Sequence, residues 1–195
     1  GKRARTAAAY GSALNYLIAG AALLPEDSWQ RLRDLAFELE FHRAACEFMT
    51  GRMAAAEERL VAVSPRATNA LERAAVACLL ADIHFTRQRP DLGVAACLEC
   101  LRHAGLDFPM SPTEEQAQAA YDHILSRIEG RAIDELANLP VMTDATVRAT
   151  LDVLAKIIPC ALGMNSNLLT LIICAAIDLS LEHGNCDSSC FAYEY

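Results

Sequence analysis

Strand signals, basic runs and long apolar runs are all scarce in this chain. No Asn-Gly or Asp-Gly pair offers a tight hairpin turn and no stretch keeps a clear two-residue alternation, which argues against a sheet-based fold. Basic residues cluster only as Lys2/Arg3/Arg5 and Arg31/Arg33 in a chain of net charge −8. No extended basic face is offered to a phosphate backbone, so nucleic acid is not expected as a partner. The longest largely apolar run, Leu168 to Ile177, is about half of the roughly 20 residues that a membrane span requires, and reads as a buried helix. No secretory leader is recognisable. The glycines build no G-x-x-x-x-G-K-[ST] loop; Gly51, Gly105, Gly130 and Gly184 fall where helices are expected to end.

Chemistry-bearing constellations are equally thin. None of His42, His84, His103, His123 and His183 opens an H-x-x-K-G pattern of the kind sought in a phosphorelay helix. The paired carboxylates Glu57/Glu58 and Glu114/Glu115 are adjacent in sequence, so they point to different parts of a helix surface and read as solvated or capping groups. Cys97-x-x-Cys100 with His103 places three candidate metal ligands on one helix. A tetrahedral zinc site needs a fourth, and only the distant Cys186-x-x-x-Cys190 could supply it, so core packing is the expectation. Asp178, a carboxylate after a wholly apolar stretch, is expected at a rim or paired with a neighbouring helix. Catalytic, cofactor-binding and metal residues are therefore all predicted to be none, and no cofactor is expected.

What the sequence does have is length and helix punctuation. With 195 residues, 53% hydrophobic and 22% charged, the chain can bury a real core. Of its eight cysteines, Cys46, Cys78, Cys97, Cys100, Cys160 and Cys174 lie inside apolar helical patterns, where a free thiol packs as a small hydrophobe. That setting predicts a reducing, cytoplasmic environment. A first helix is expected from about Arg3 to Leu23, with Ala9, Ala13, Tyr16, Leu17 and Gly20 as its stripe. A second has Pro25 in its first turn, Trp29, Leu32, Leu35, Ala36, Leu39, Arg43 and Cys46 at helical spacing, and Gly51 as its stop. A third spans about Met53 to Val63 and breaks at Ser64-Pro65. The fourth starts at Asn69, a capping side chain with Glu72 at the third position of the helix, and carries Ala75, Leu79, Ile83 and His84. The fifth covers about Asp91 to Ala104. Ser111-Pro112-Thr113-Glu114 reads as a cap, a first-turn proline and a glutamate at the third position of a helix reaching Glu129. A short helix from Arg131 to Asn138 follows. Thr143 or Asp144 caps the next, which Pro159 kinks or ends. Asn165 or Ser166 caps the apolar helix closing at His183-Gly184, and a last helix is expected from about Asp187.

The pattern Gly51-x-Met53-x-x-Ala56 is answered by Pro90-x-Leu92-x-x-Ala95, a period of about 39 residues. A bulky residue followed by alanine three positions on suits helix hairpins that stack closely. The period exceeds the roughly 34 residues of a standard tetratricopeptide, and the standard aromatic positions are mostly missing. The predicted fold is therefore all-α: tetratricopeptide-like antiparallel helix hairpins stacked in a right-handed superhelix. The chain, 1–195, is read as a single helical-repeat domain with candidate sub-halves 1–110 and 111–195. It opens on Gly1 without methionine and stops at Tyr195 inside the last expected helix, as a module of a longer protein would.

The stretches "ALNYLIAGAALLPEDSW", "LAFELEFHRAACEFMTGRMAAAEERL", "CLRHAGLDFPMSPT", "LANLPVMTDATVRATLDVLAKIIP" and "LSLEHGNCDSSCFAY" cover most of the chain. Within them stand Leu24-Pro25-Glu26-Asp27-x-Trp29, Leu139-Pro140-x-Met142-Thr143-Asp144 and Leu181-Glu182-x-Gly184-Asn185. In these stretches the chain resembles the helical region of large bacterial signalling proteins that join a serine/threonine kinase-like domain, a P-loop ATPase, a GAF sensor domain and a histidine kinase. The Cys186-Asp187 pair departs from the Ser-Pro expected there. The resemblance implies a non-catalytic middle module for interaction and signal relay. Its partners would be the neighbouring ATPase or kinase domains or an external peptide, and the parent protein would be a two-component or serine/threonine kinase. The apolar stretch Ile157 to Leu181 suggests the alternative of a helical sensor for a small apolar ligand. Phe191 and Tyr193, if exposed, would favour a homodimer.

Overall fold

Leucine, alanine, isoleucine and valine recur every three to four residues along most of the chain, and glycine, proline and capping polar residues separate the stretches. The backbone accordingly closes its hydrogen bonds within helices. A computed structural model describes residues 8–194, with the side chain of Ile133 excepted. Among the described residues there are eleven α-helices and no strand. They are α1 (Tyr10–Ala22), α2 (Ser28–Arg31), α3 (Arg33–Met49), α4 (Met53–Val63), α5 (Ala70–Thr86), α6 (Pro90–His103), α7 (Glu114–Ile128), α8 (Ile133–Ala137), α9 (Ala145–Ala161), α10 (Ser166–His183) and α11 (Ser189–Glu194). The start expected at Arg3, with the Lys2/Arg3/Arg5 cluster, lies outside the described residues.

Helix starts follow side-chain chemistry. Asn69 Oδ1 accepts the Glu72 N–H at 2.9 Å, and Asn165 Oδ1 accepts that of Leu168 at 3.0 Å. Of the two cap candidates before α9 it is Asp144 that serves, accepting from the N–H groups of Thr146 at 2.7 Å and Val147 at 3.2 Å. The start of α7 sits two residues later than the sequence pattern suggests. Thr113, not Ser111, is the cap, and Gln116, not Glu114, reaches back, in a reciprocal box with bonds of 3.2 and 2.9 Å. The helix expected from Pro25 to Gly51 is two: Pro25 belongs to a turn, its carbonyl accepting from Ser28 N–H at 2.9 Å, and the helix is interrupted at Leu32. Pro159 lies in the last turn of α9, two residues before its end, where losing one intrahelical bond is tolerated.

The chain forms two compact units, residues 1–68 and 69–195. In the first, α3 packs on α1 and α4. Ala13, Leu14, Leu17 and Cys46 form its buried cluster, with Leu39 packed against them. Ala13 and Leu17 of the expected α1 stripe are thus in the core, but Leu14 takes the place expected of Tyr16, and Tyr16, Leu32 and Leu35 face water. Between α3 and α4 stands an ion network: Arg59 bridges Glu47 at 2.8 Å and Glu40, and Arg43 holds Glu40 at 2.8 Å. Glu47 is only 5% exposed, so a carboxylate is carried into this interface with its partner. The Glu47 hydrogen bond, opposed by burial and aided by Glu40, holds the Arg59 guanidinium above its ordinary range.

In the second unit α5 and α6 form a hairpin over the link Arg87-Gln88-Arg89, α9 packs on both, and α10 packs on α9 and α7. Leu151, Val153, Leu154, Ile157 and Ile158 of α9 are essentially inaccessible to water. At about 1.5–3 kcal/mol for each fully buried aliphatic side chain, α9 is the main hydrophobic contributor. The hairpin contact differs from the expected pattern. Leu92 is 40% exposed and Ala95 faces solvent, whereas Gly93 and Val94 are buried. A Cβ at Gly93 would stand 3.3 Å from the Ala81 backbone, so glycine is what lets α5 and α6 approach. In the first unit the pattern holds at Ala56, which is fully buried.

Helix α10 is, among the described residues, the one helix long and apolar enough to cross a membrane by length and composition. Here its apolar side packs against α7 and α9.

Candidate functional site

The site is a groove of about 650 Å³ in the second unit, walled by α5 and α9 and lined also by Ser188 and Phe191. Leu71, Ala74, Ala75, Cys78, Ala81, Asp82 and Phe85 line it from α5. Their spacing of three or four residues puts them on one face of that helix. Ala149, Ala155, Pro159 and Cys160 answer from α9. The floor is built of alanine and cysteine, side chains too small to fill the space between the helices, while larger apolar groups stand at the edges. Leu71, Phe85 and Phe191 remain 49%, 52% and 46% exposed.

The polar wall consists of three charges. Lys156 Nζ lies 2.8 and 3.1 Å from the two carboxylate oxygens of Asp82. Burial disfavours its charge, but the Asp82 bonds prevail and hold the ammonium above its ordinary range. Asp152, one turn before Lys156, accepts the Ser188 hydroxyl. Cys78 faces this wall. Burial pushes its thiol up to about 12, with Lys156 opposing, so it is a neutral apolar floor element rather than a thiolate.

A smaller cavity of about 450 Å³ is lined by Arg73, Cys100, His103, Thr150 and His183 together with apolar residues of α6, α9 and α10. Its two histidines are near carboxylates: His103 Nε2 is 3.3 Å from Glu99 and His183 Nε2 is 3.8 Å from Glu182.

The other sequence candidates are placed as follows. Cys97 points into the core, its thiol 3.8 Å from the Ala77 carbonyl oxygen, while Cys100 is half-buried and His103 is in water. The three therefore diverge instead of facing one centre. Cys186 is half-buried and Cys190 exposed. Among the described residues no three His, Cys, Asp or Glu side chains converge as metal ligands would. Asp178 pairs with Arg127 of α7 and lies 3.6 Å from His123, the neighbouring-helix pairing the sequence suggested. The segments Leu139–Met142 and Gly184–Asn185, far apart in sequence, meet: Met142 N–H donates to Asn185 O and Asn185 N–H to Pro140 O, both at 2.8 Å.

The groove wall brings together Asp82, Asp152 and Lys156, none of which the sequence pattern singles out for a role. A signal was present. Small residues recur on one face of α5 between two large apolar ones, with an aspartate in their midst, and Asp152 and Lys156 sit one turn apart. Comparison with known proteins finds no family model, no curated protein and no solved structure that matches the chain.

Proposed function

We propose that this chain is a non-catalytic interaction and signal-relay module, and that the groove between α5 and α9 is where it takes hold of a protein. The observation that carries this reading is the groove itself: an alanine- and cysteine-lined trough whose apolar rim is left half-exposed. Exposed apolar surface concentrated around a concavity is the usual mark of a binding face. The charged groups in its wall are already hydrogen-bonded, Lys156 to Asp82 and Asp152 to the Ser188 hydroxyl, an arrangement suited to recognition more than to proton transfer.

In the fuller form suggested by the resemblance, the module belongs to a cytoplasmic bacterial signal-transduction protein with ATPase and kinase domains. Its hairpins stack in a tetratricopeptide-like superhelix, and it relays a conformational change between its neighbours. The test is a binding titration of this chain against the ATPase and kinase domains that flank it in its reading frame, with and without ATP. Nucleotide-dependent binding supports the relay; no binding under either condition removes it.

A second reading has one observation in its favour. A volume of about 650 Å³ lies within the range of small-molecule pockets, and its lining is apolar. A panel of apolar metabolites and lipids that leaves the melting temperature unchanged would remove that reading.

A further inference from the structure

We infer that the occupant of the α5/α9 groove is an amphipathic helix of a partner protein, one that carries lysine or arginine beside its apolar stripe. The inference rests on the interaction reading above and specifies its partner.

Shape supports a helix. The α5 face from Leu71 to Phe85 extends over about 21 Å at the helical rise per residue. Spread over that length, 650 Å³ gives a cross-section of about 30 Å². That admits a row of side chains and not a whole helix, whose diameter is about 10 Å. A helix laid on the groove would seat large apolar residues, one per turn at i, i+4 and i+7, over the alanine and cysteine floor. Its own backbone would then cover the rim. The rim needs such a cover: Leu71, Phe85 and Phe191 each keep about half their surface in water. A single alkyl chain lying in the trough would leave them so, and would itself stay half-wet.

Charge gives the sign. Among the charged residues that line the groove Asp82 and Lys156 cancel, and Asp152, which accepts the neutral Ser188 hydroxyl, leaves the wall one negative charge in excess. The net charge of −8 steers in the same direction. A cation beside the apolar stripe therefore meets a carboxylate at the groove edge.

The experiment uses fluorescein-labelled designed peptides about four helical turns long, enough to span the α5 face. One has leucines in helical register on one face and lysines elsewhere; one has the same composition scrambled; one has glutamate for lysine. Sodium palmitate is a fourth probe. The lysine helix is expected to bind at least ten-fold more tightly than the scrambled and glutamate peptides. Ala75→Trp and Ala155→Trp, which fill the floor, are expected to weaken it at least ten-fold. Phe85→Ser at the exposed rim, where folding is not at stake, should weaken it several-fold, and Asp152→Lys about three- to ten-fold. Circular dichroism identifies any variant that has lost its helices, and the rim and charge variants then decide.

Equal binding of all three peptides, or binding indifferent to Phe85→Ser and Asp152→Lys, overturns the inference. So does palmitate binding that the floor variants abolish while no peptide binds. Self-association in sedimentation that the floor variants abolish, again without peptide binding, assigns the groove to a second copy and overturns it too. If the flanking domains still bind a chain whose groove is filled, this inference fails and the interaction reading stands. If the lysine helix binds the groove and the flanking domains do not bind, the inference stands and the relay reading fails.

Discussion

Gly184→Ala should cost the second unit about 3–5 kcal/mol, far more than a glycine at a helix end ordinarily carries. Gly184 is buried, with φ +93° and ψ −178°, a region that is essentially glycine-only and costs about 1–3 kcal/mol for any other residue. The space is closed as well. A Cβ there would stand 2.1 Å from Pro140 O and 2.9 Å from its carbonyl carbon, so backbone must move. Pro140 O is the acceptor of Asn185 N–H, and Asn185 O in turn accepts from Met142 N–H. Displacing that carbonyl breaks one or both bonds, at about 1 kcal/mol each. The expected fall in melting temperature is about 10 °C or more. The comparator is Gly130→Ala: φ +77° with nothing within 4 Å of the added carbon, hence only the left-handed penalty of about 1–2 kcal/mol. Both are read by urea unfolding followed by far-ultraviolet circular dichroism, because the single tryptophan, Trp29, lies in the other unit. A Gly184→Ala protein no less stable than Gly130→Ala would refute the reasoning.

Leu154→Ala, at a fully buried position, should cost about 2–5 kcal/mol and Leu92→Ala, 40% exposed, less than about 1 kcal/mol, in the same unfolding assay. Arg59→Met should destabilise the first unit by about 2–4 kcal/mol by stranding buried Glu47, and Arg59→Met with Glu47→Leu should recover most of that, as Trp29 fluorescence reports. Asp144→Ala should cost about 1 kcal/mol through the loss of the α9 cap. Stability should fall on the alkaline side. Burial raises the Cys78 thiol from 9.0 to about 12, so between those values the unfolded chain has lost a proton that the folded chain keeps, and unfolding is favoured as pH rises. This contribution is whole below about pH 9 and declines by up to about 1.4 kcal/mol per pH unit, and Cys78→Ala should flatten the decline in a pH series of melts.

The helices were legible because they are written locally. Asn69, Asp144 and Asn165 cap where the sequence places candidate caps, and the cysteines of the apolar patterns are buried or half-buried. Registers were less legible. Whether Tyr16 or Leu14 faces the core, or Leu92 or Gly93 meets α5, depends on which neighbour the helix finds, and a rotation of only one or two residues, about 100° each, separates the alternatives. Glu47 was invisible as a core residue, since its burial is licensed by an arginine twelve positions away. The small-residue face of α5 was legible, but its pairing with α9 was not, for the same reason: nothing in the sequence links Asp82 and Lys156, 74 positions apart, until packing brings them to 2.8 Å.

Leu139-Pro140-x-Met142 and Gly184-Asn185 converge on one knot, where Asn185 Nδ2 also donates to Leu136 O at 2.7 Å and the Tyr193 hydroxyl reaches Asn185 Oδ1 at 2.9 Å. Close by, the Ser180 and Ser189 hydroxyls bond at 2.9 Å, and Ser189 Oγ accepts the Cys186 N–H at 3.0 Å. These groups satisfy one another around a glycine that admits no side chain, which is the chemistry of a fastening between the connector and the end of α10. None of these residues lines the groove. The fastening and the groove are thus built from separate residues, so a substitution in the groove lining leaves the hydrogen bonds of the fastening in place.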